Sequence, residues 1–278
     1  MAASALEVWG DPIEHSLSPR LHAAAYALLG WDWTYGRRRV DESTFAGTLA
    51  SLGPSYRGLS LTMPLKGVAF AAAAARRDAR AEATGAVNTL VRGEDGWHGF
   101  NTDVGGIVAA FADAGVSTVR SARIVGAGAT ATSAVVALAE LGAEQLEIAA
   151  RRPEAAAPLA ALGAGRGMAV EVVPLDAVVG DRVDATISTL AGGAAVSREV
   201  ADRLADGGGA LMDVVYGHWP TSLSEAWTRR GLPVQDGTGM LLHQAVLQIR
   251  AFASGDVEGE LPRETEVVAV MRRALVGD

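Results

Sequence analysis

At 278 residues the chain is long enough for two domains, and its 49% hydrophobic and 20% charged residues mark a globular protein rather than a disordered one. A formal charge of -8 excludes the clustered positive surface that nucleic-acid phosphates reward, and the absence of cysteine removes disulfides, thiolate metal sites and cysteine nucleophiles. The longest apolar run, Val68 to Ala75, falls far short of the roughly 20 residues a bilayer needs, and no secretory signal is visible, so a cytoplasmic protein without a membrane or nucleic-acid partner is expected.

Leu6 to Gly10 reads as a strand. Ser18 is expected to N-cap a helix with Pro19 at its first position, running to Gly30. Trp33 to Val40 suits a strand, Ser43 caps a helix ending near Gly53, and Tyr56 to Thr62 is a strand again. An alanine-rich helix follows Pro64. Val87 to Arg92 and Trp97 to Asn101 flank Glu94-Asp95-Gly96, the pattern of a hairpin with an Asp-Gly turn. Arg37-Arg38-Arg39 and Arg76-Arg77 read as solvated surface. This is a mixed α/β domain.

A helix from about Asp103 to Ala114 leads onward. Strand-like runs then recur at Arg123 to Val125, Gln145 to Ala150, Ala169 to Val173, Ala185 to Ser188, Leu211 to Val215 and Pro233-Val234. Helical segments separate them, which predicts a doubly wound parallel sheet. From Thr238 the chain reads as two helices that pack back on the first domain. The expected domains are 1–103 with 238–278, and 104–237.

Gly126-Ala127-Gly128-Ala129-Thr130-Ala131 fits G-x-G-x-x-A directly after an apolar strand and before a helix, the Rossmann dinucleotide fingerprint. The first glycine permits the tight turn, the second lets backbone approach a pyrophosphate at the helix N-terminus, and Ala131 allows close helix–strand packing. At the end of the second strand, where an acidic residue would select NAD, stand Arg151 and Arg152. Two guanidinium groups suit a 2′-phosphate, so NADP is favoured.

The 24 basic residues comprise 23 arginines and one lysine, Lys66. Codon bias accounts for heavy arginine use, yet a single lysine points to a place where a proton must be given up, which arginine does not do near neutral pH. Small polar residues cluster at element ends around it. Ser16 and Ser18 sit beside a helix N-terminus, suited to a carboxylate. Ser60-Leu61-Thr62 leads to Lys66, and Gly85-Ala86-Val87-Asn88-Thr89 and Asn101-Thr102-Asp103 follow. Asp103 is placed to pair with Lys66 and orient its amine. The five histidines lack metal-ligand spacing, so no metal site is expected.

Together these segments resemble shikimate dehydrogenase along essentially the whole chain. The motifs are His15-Ser16-Leu17-Ser18-Pro19, Thr62-Met63-Pro64-Leu65-Lys66, Gly85-Ala86-Val87-Asn88-Thr89, Asn101-Thr102-Asp103, and Asp236-Gly237-Thr238-Gly239-Met240-Leu241 followed by Gln244. The resemblance implies an N-terminal substrate domain joined to an NADP-binding Rossmann domain. It also implies NADPH-dependent, reversible reduction of 3-dehydroshikimate to shikimate on the route to aromatic amino acids, by a monomer or homodimer.

By the same resemblance Lys66 and Asp103 form the catalytic pair. Ser16 and Ser18 hold the substrate carboxylate, Thr62, Asn88 and Asp103 bind ring hydroxyls with Lys66, and Tyr216 and Gln244 approach the substrate. Gly126, Ala127, Gly128, Ala129, Thr130, Arg151, Arg152, Val214 and Gly237 serve the cofactor. The sequence departs from the family where Ser60 replaces a common asparagine, and where Arg151-Arg152 replaces a common Arg-Thr. A relative that also oxidises quinate, often with NAD, is the nearest alternative. A folate one-carbon dehydrogenase has no need of the paired serines, and a non-catalytic cofactor-binding regulator has no need of Lys66 and Asp103.

Overall fold

The computed structural model describes residues 4–276 apart from Gly180, Gly193 and Ala195. Two compact units emerge, residues 1–106 with 241–278, and residues 107–240.

The first unit opens with β1 (Ser4–Gly10), α1 (Ser18–Leu29), β2 (Trp33–Arg39), α2 (Glu42–Ala50) and β3 (Tyr56–Leu61). It continues with α3 (Lys66–Ala72), β4 (Arg76–Arg77), α4 (Ala79–Thr84), β5 (Thr89–Arg92), β6 (Trp97–Phe100) and the start of α5 (Thr102–Asp113). Among the described residues these strands make a mixed six-stranded sheet ordered β2-β1-β3-β5-β6-β4. β1 pairs in parallel with β2 and β3, whereas β5 runs antiparallel to β3 and to β6, forming the expected hairpin. Trp9, Leu59, Leu61, Leu65, Ala69 and Leu90 share one core beneath it. Each large apolar side chain buried there contributes about 1.5–3 kcal/mol relative to exposure.

Two expected caps are corrected. Leu17, not Ser18, is the N-cap of α1, and no side chain caps that helix end. Ser18 is already helical and buried, while its N–H is met by Ser16 Oγ at 3.3 Å. Asp41, not Ser43, caps α2: its carboxylate accepts the Thr44 N–H at 2.9 Å, completing a capping box. An ionised oxygen two positions upstream outcompetes the serine hydroxyl, which itself donates to Asp41 at 2.7 Å.

The arginine clusters are also more engaged than solvated surface. Arg38 forms a fork with Glu7 at 2.8 and 2.9 Å and lies over Trp9. Arg77 reaches Phe70 O and Glu82 and covers the Phe70 ring. That arrangement depends on α3 ending at Ala72, inside the alanine run, after which β4 and α4, both unforeseen, occupy Arg76 to Thr84.

The second unit contains β7 (Ser121–Val125), α6 (Ala129–Glu140), β8 (Gln145–Ala150), a 3-10 turn at Pro153–Ala156, α7 (Ala157–Gly165) and β9 (Ala169–Pro174). β10 (Ala185–Ser188), α8 (Arg198–Asp206), β11 (Ala210–Asp213), α9 (Ser222–Arg229) and β12 (Val234–Gln235) complete it. Every strand pairing is parallel, in the order β12-β11-β10-β7-β8-β9. β10 is buried along its whole length, and β7 and β8 at most positions, because helices cover both faces of a parallel sheet. This is the doubly wound architecture expected. The strand order reverses between β7 and β10, so the crevice of such a sheet opens at their C-terminal ends, where Gly126 and Thr189 lie.

The chain then enters α10 (Thr238–Ser254) and α11 (Glu264–Val276), which from Leu241 onward belong to the first unit. Arg57 donates to Phe252 O and, at 3.0 Å, to Ala253 O, and Gly58 leaves room for the Phe252 ring. α11 packs along α1. No helix among the described residues is long and apolar enough to cross a membrane.

Candidate functional site

In the first unit, the end of β3 and the start of α3 deliver Lys66 to a site at the head of α5. Thr62 leaves the strand with its N–H on Trp9 O at 2.9 Å, and its own carbonyl accepts the Leu65 N–H at 2.8 Å. That tight turn sets Lys66 as the first residue of α3. Gly10 is required opposite, since a Cβ there would lie 2.4 Å from Thr62 Cγ2 and 2.9 Å from Met63 O.

Lys66 Nζ donates to Asp103 Oδ2 at 2.6 Å, with side chains only 13% and 8% exposed. An ion pair this sheltered keeps most of its Coulombic attraction, but it must be fully hydrogen-bonded to be tolerated. Asn88 supplies the missing donor, its amide reaching Asp103 Oδ1 at 2.8 Å. Asn101 in turn fixes the helix start: its Oδ1 accepts the N–H groups of Asp103 and Val104, at 3.1 and 3.4 Å, and its amide reaches Thr84 Oγ1 at 2.8 Å. Lys66, Asn88 and Asp103 are therefore one bonded group. Ser16 and Ser18 form a second, beside the first turn of α1. Gln244 is buried on α10, where its amide donates to Leu241 O at 2.9 Å.

Two residues here were missed from sequence. Gln248, one helical turn beyond Gln244, bridges Ser60 to Asn88 and Thr89. Tyr35 donates to Ser60 Oγ at 2.6 Å, and burial raises its hydroxyl well above the usual tyrosine range. Ser60, which stands in for asparagine, is thus engaged by protein partners on both sides. His22, fully buried, stacks on Tyr35 at 3.8 Å, and burial pushes its pKa down to about 3.

The second unit holds the other predicted residues. Gly126 has φ 105°, and an added Cβ would come within 3.0 Å of Thr189 Oγ1 and 3.3 Å of its carbonyl carbon. Only glycine suits that place. Gly128 is the N-cap of α6 without any side-chain cap, and Ala131 is fully buried against the sheet. The first N–H groups of α6, at Ala129 and Thr130 beyond the Ala127 turn, are therefore available to an anion. Arg151 and Arg152 are exposed at the end of β8. Arg151 lines a cavity of about 180 Å³ with Leu175, Asp176, Val196, Ser197 and Val200.

Val214 donates its N–H to Ser188 O at 3.0 Å. Gly237 packs so closely that a Cβ would meet Val214 O at 2.1 Å. Tyr216 is partly buried, which raises its hydroxyl pKa. Asp213, not anticipated, anchors this segment: its carboxylate accepts from Thr221 Oγ1 at 2.7 Å and Val215 N at 3.4 Å, and burial raises its pKa. Among the described residues no cluster of three or more His, Asp or Glu side chains is placed to hold a metal ion.

Residues 8–90 match the family model described as the shikimate dehydrogenase substrate binding domain. The shikimate dehydrogenase (NADP(+)) of Rubrobacter xylanophilus is 36% identical over 277 residues, covering 97% of this chain and 94% of the relative. The crystal structure of Mycobacterium tuberculosis shikimate dehydrogenase superposes with a TM-score of 0.84 at 37% identity, covering 97% of this chain and 99% of the other. That of the Thermus thermophilus shikimate 5-dehydrogenase, solved in complex with NADP(H) and shikimate, gives 0.81 at 29% identity, with coverage of 98% and 99%.

Proposed function

The chain belongs to the shikimate dehydrogenase family, and from that premise we propose that it catalyses the reversible, NADP-linked interconversion of shikimate and 3-dehydroshikimate in aromatic amino acid biosynthesis. The observation that carries the reading is the sheltered Lys66–Asp103 pair, 2.6 Å apart and oriented by Asn88, in a chain with no other lysine.

On this reading residues 1–103 with the C-terminal helices form the substrate domain, and 104–237 bind the cofactor. NADP, when bound, supplies the acceptor or donor of hydride at the substrate carbon. Lys66 handles the proton on the oxygen of that carbon, taking it as shikimate is oxidised and returning it in the reverse direction. Asp103 holds the amine in place and balances its charge. Asn88 and Thr62 bind ring hydroxyls, and Ser16 and Ser18 take the carboxylate. Tyr216 and Gln244 complete the substrate set.

The second unit suits a 2′-phosphorylated dinucleotide. The uncapped α6 terminus behind Gly126 and Gly128 offers N–H donors to a pyrophosphate, and exposed Arg151 and Arg152 offer charge to the 2′-phosphate. Val214 and Gly237 would contribute backbone beside the nicotinamide. The reading carries with it a cytoplasmic enzyme acting as a monomer or homodimer.

The test is the absorbance of reduced nicotinamide, followed with shikimate or quinate as substrate and NADP or NAD as acceptor. Turnover fastest with shikimate and NADP is the expected result. Preference for quinate or for NAD would move the chain to the broader quinate/shikimate branch, and no turnover with either substrate would reject the reading.

A further inference from the structure

Five side-chain hydrogen bonds in the first unit run in one direction and end on Asp103. Tyr35 donates to Ser60 Oγ at 2.6 Å, and Ser60 to Gln248 Oε1 at 2.8 Å. Gln248 Nε2 donates to Thr89 Oγ1 at 3.1 Å, Thr89 to Asn88 Oδ1 at 2.9 Å, and Asn88 Nδ2 to Asp103 Oδ1 at 2.8 Å.

The direction is dictated by backbone groups that cannot reverse. Gln248 Nε2 also faces the Asn88 carbonyl at 3.3 Å, which only accepts, so the amide oxygen must face Ser60. The single Ser60 proton then goes to Gln248, and Ser60 receives from Tyr35. At the far end the Thr102 N–H reaches Asn88 Oδ1 at 2.9 Å, which turns the Asn88 nitrogen toward Asp103.

The chain is also dry. Ser60, Gln248, Thr89, Asn88 and Asp103 are all buried. In such surroundings successive bonds polarise one another, and a missing partner leaves its neighbour unsatisfied. The members lie far apart in sequence, with Gln248 188 residues from Ser60 and 159 from Thr89, so only the folded unit assembles them.

We propose that Gln248 is a positioning residue for the catalytic pair, acting through Thr89 and Asn88 to set the orientation of the Asp103 carboxylate and hence of Lys66. Gln248 itself needs no contact with substrate. The inference rests on the proposed dehydrogenase reading, which gives Lys66 its task.

Three variants of the full chain test it: Gln248→Leu, Thr89→Val, and the two combined. Gln248→Leu removes its bonds to Ser60, Thr89 and the Asn88 carbonyl, and Thr89→Val those to Gln248 and Asn88 Oδ1, while both nearly keep volume. Each should lower kcat with shikimate by roughly tenfold or more, the usual cost of an unsatisfied buried partner, while KM for NADP stays unchanged. The combined variant should be no worse than the poorer single one by more than about threefold, because a chain cut once has little left to lose. A folded Gln248→Leu with unchanged kcat, or effects that simply multiply, would overturn the proposal. If Gln248→Leu does not fold, Thr89→Val alone decides by the same criterion.

A second readout does not depend on turnover. Lys66 is the only lysine, so acylation by an amine-reactive ester, followed by peptide mass, reports one side chain apart from the N-terminus. Release of Asp103 should speed acylation of Lys66 several-fold in the variants. If the wild type proves inactive, unchanged acylation in the variants would sink the positioning role together with the dehydrogenase reading, whereas faster acylation in the variants would reject the dehydrogenase reading and leave the chain of bonds standing.

Discussion

Lowering the pH should destabilise the first unit through His22, by an amount that the burial of this one ring determines. The imidazole is fully buried, stacks on Tyr35 at 3.8 Å and shares a hydrogen bond of 2.9 Å with the Tyr26 hydroxyl. Burial depresses its pKa to about 3, against an ordinary value of 6.5. Below 6.5 the unfolded chain therefore binds a proton that the folded chain refuses. Stability is intact above that value and falls as the pH drops, levelling off only near the folded pKa.

Each pH unit below the ordinary value costs about 1.4 kcal/mol, so at about pH 5 the loss is roughly 2 kcal/mol. That figure is insensitive to the folded pKa as long as it lies well under 5. Other groups titrate over the same range, so the measurement must be a difference. Urea unfolding, followed by tryptophan fluorescence, is compared at about pH 7.5 and about pH 5 for wild type and for His22→Gln. The wild type should lose about 2 kcal/mol more than the variant. Equal losses would show that the ring is protonated in the folded state.

Replacing Arg151 and Arg152 together by neutral residues should raise KM for NADP and leave KM for NAD nearly unchanged, since only the former carries a 2′-phosphate. An equal rise for both would refute that contact. Gly126→Ala forces a Cβ into Thr189 at a backbone φ of 105°. It should weaken binding of either dinucleotide, measured by calorimetry, while binding of shikimate is retained. Unimpaired dinucleotide binding would show that the turn is not where the pyrophosphate sits.

Much of this was legible along the chain because its signals are local. Gln145–Ala150 and Ala185–Ser188 fall on strands β8 and β10 to the residue, since each is a short run around a buried isoleucine, too short for a helix. The glycines around Gly126 announce their own turn, and the Asp-Gly pair its hairpin. The misread caps at Ser18 and Ser43 failed for a related reason: several polar residues compete at a helix start, and the nearest acidic oxygen or the local turn decides. β4 and α4 were hidden by an alanine run whose composition favours helix throughout, while Asp78, capping α4 through the Ala81 N–H at 2.7 Å, actually restarts it.

In the site, Lys66 stood out through its rarity and Asp103 through its place at a helix start. Gln248 and Tyr35 carried no such mark. Their importance comes from partners 25 to 188 residues away, and only a register that sets β1 between β2 and β3 brings them together.

The amine of Lys66 is the point on which the account turns, and Lys66→Ala examined by stopped-flow absorbance with saturating shikimate and NADP tests it most directly. The appearance of reduced nicotinamide should slow by about 10²-fold or more, the usual loss when a general acid–base group is removed, with shikimate binding much less affected. Reduction at the wild-type rate would contradict it.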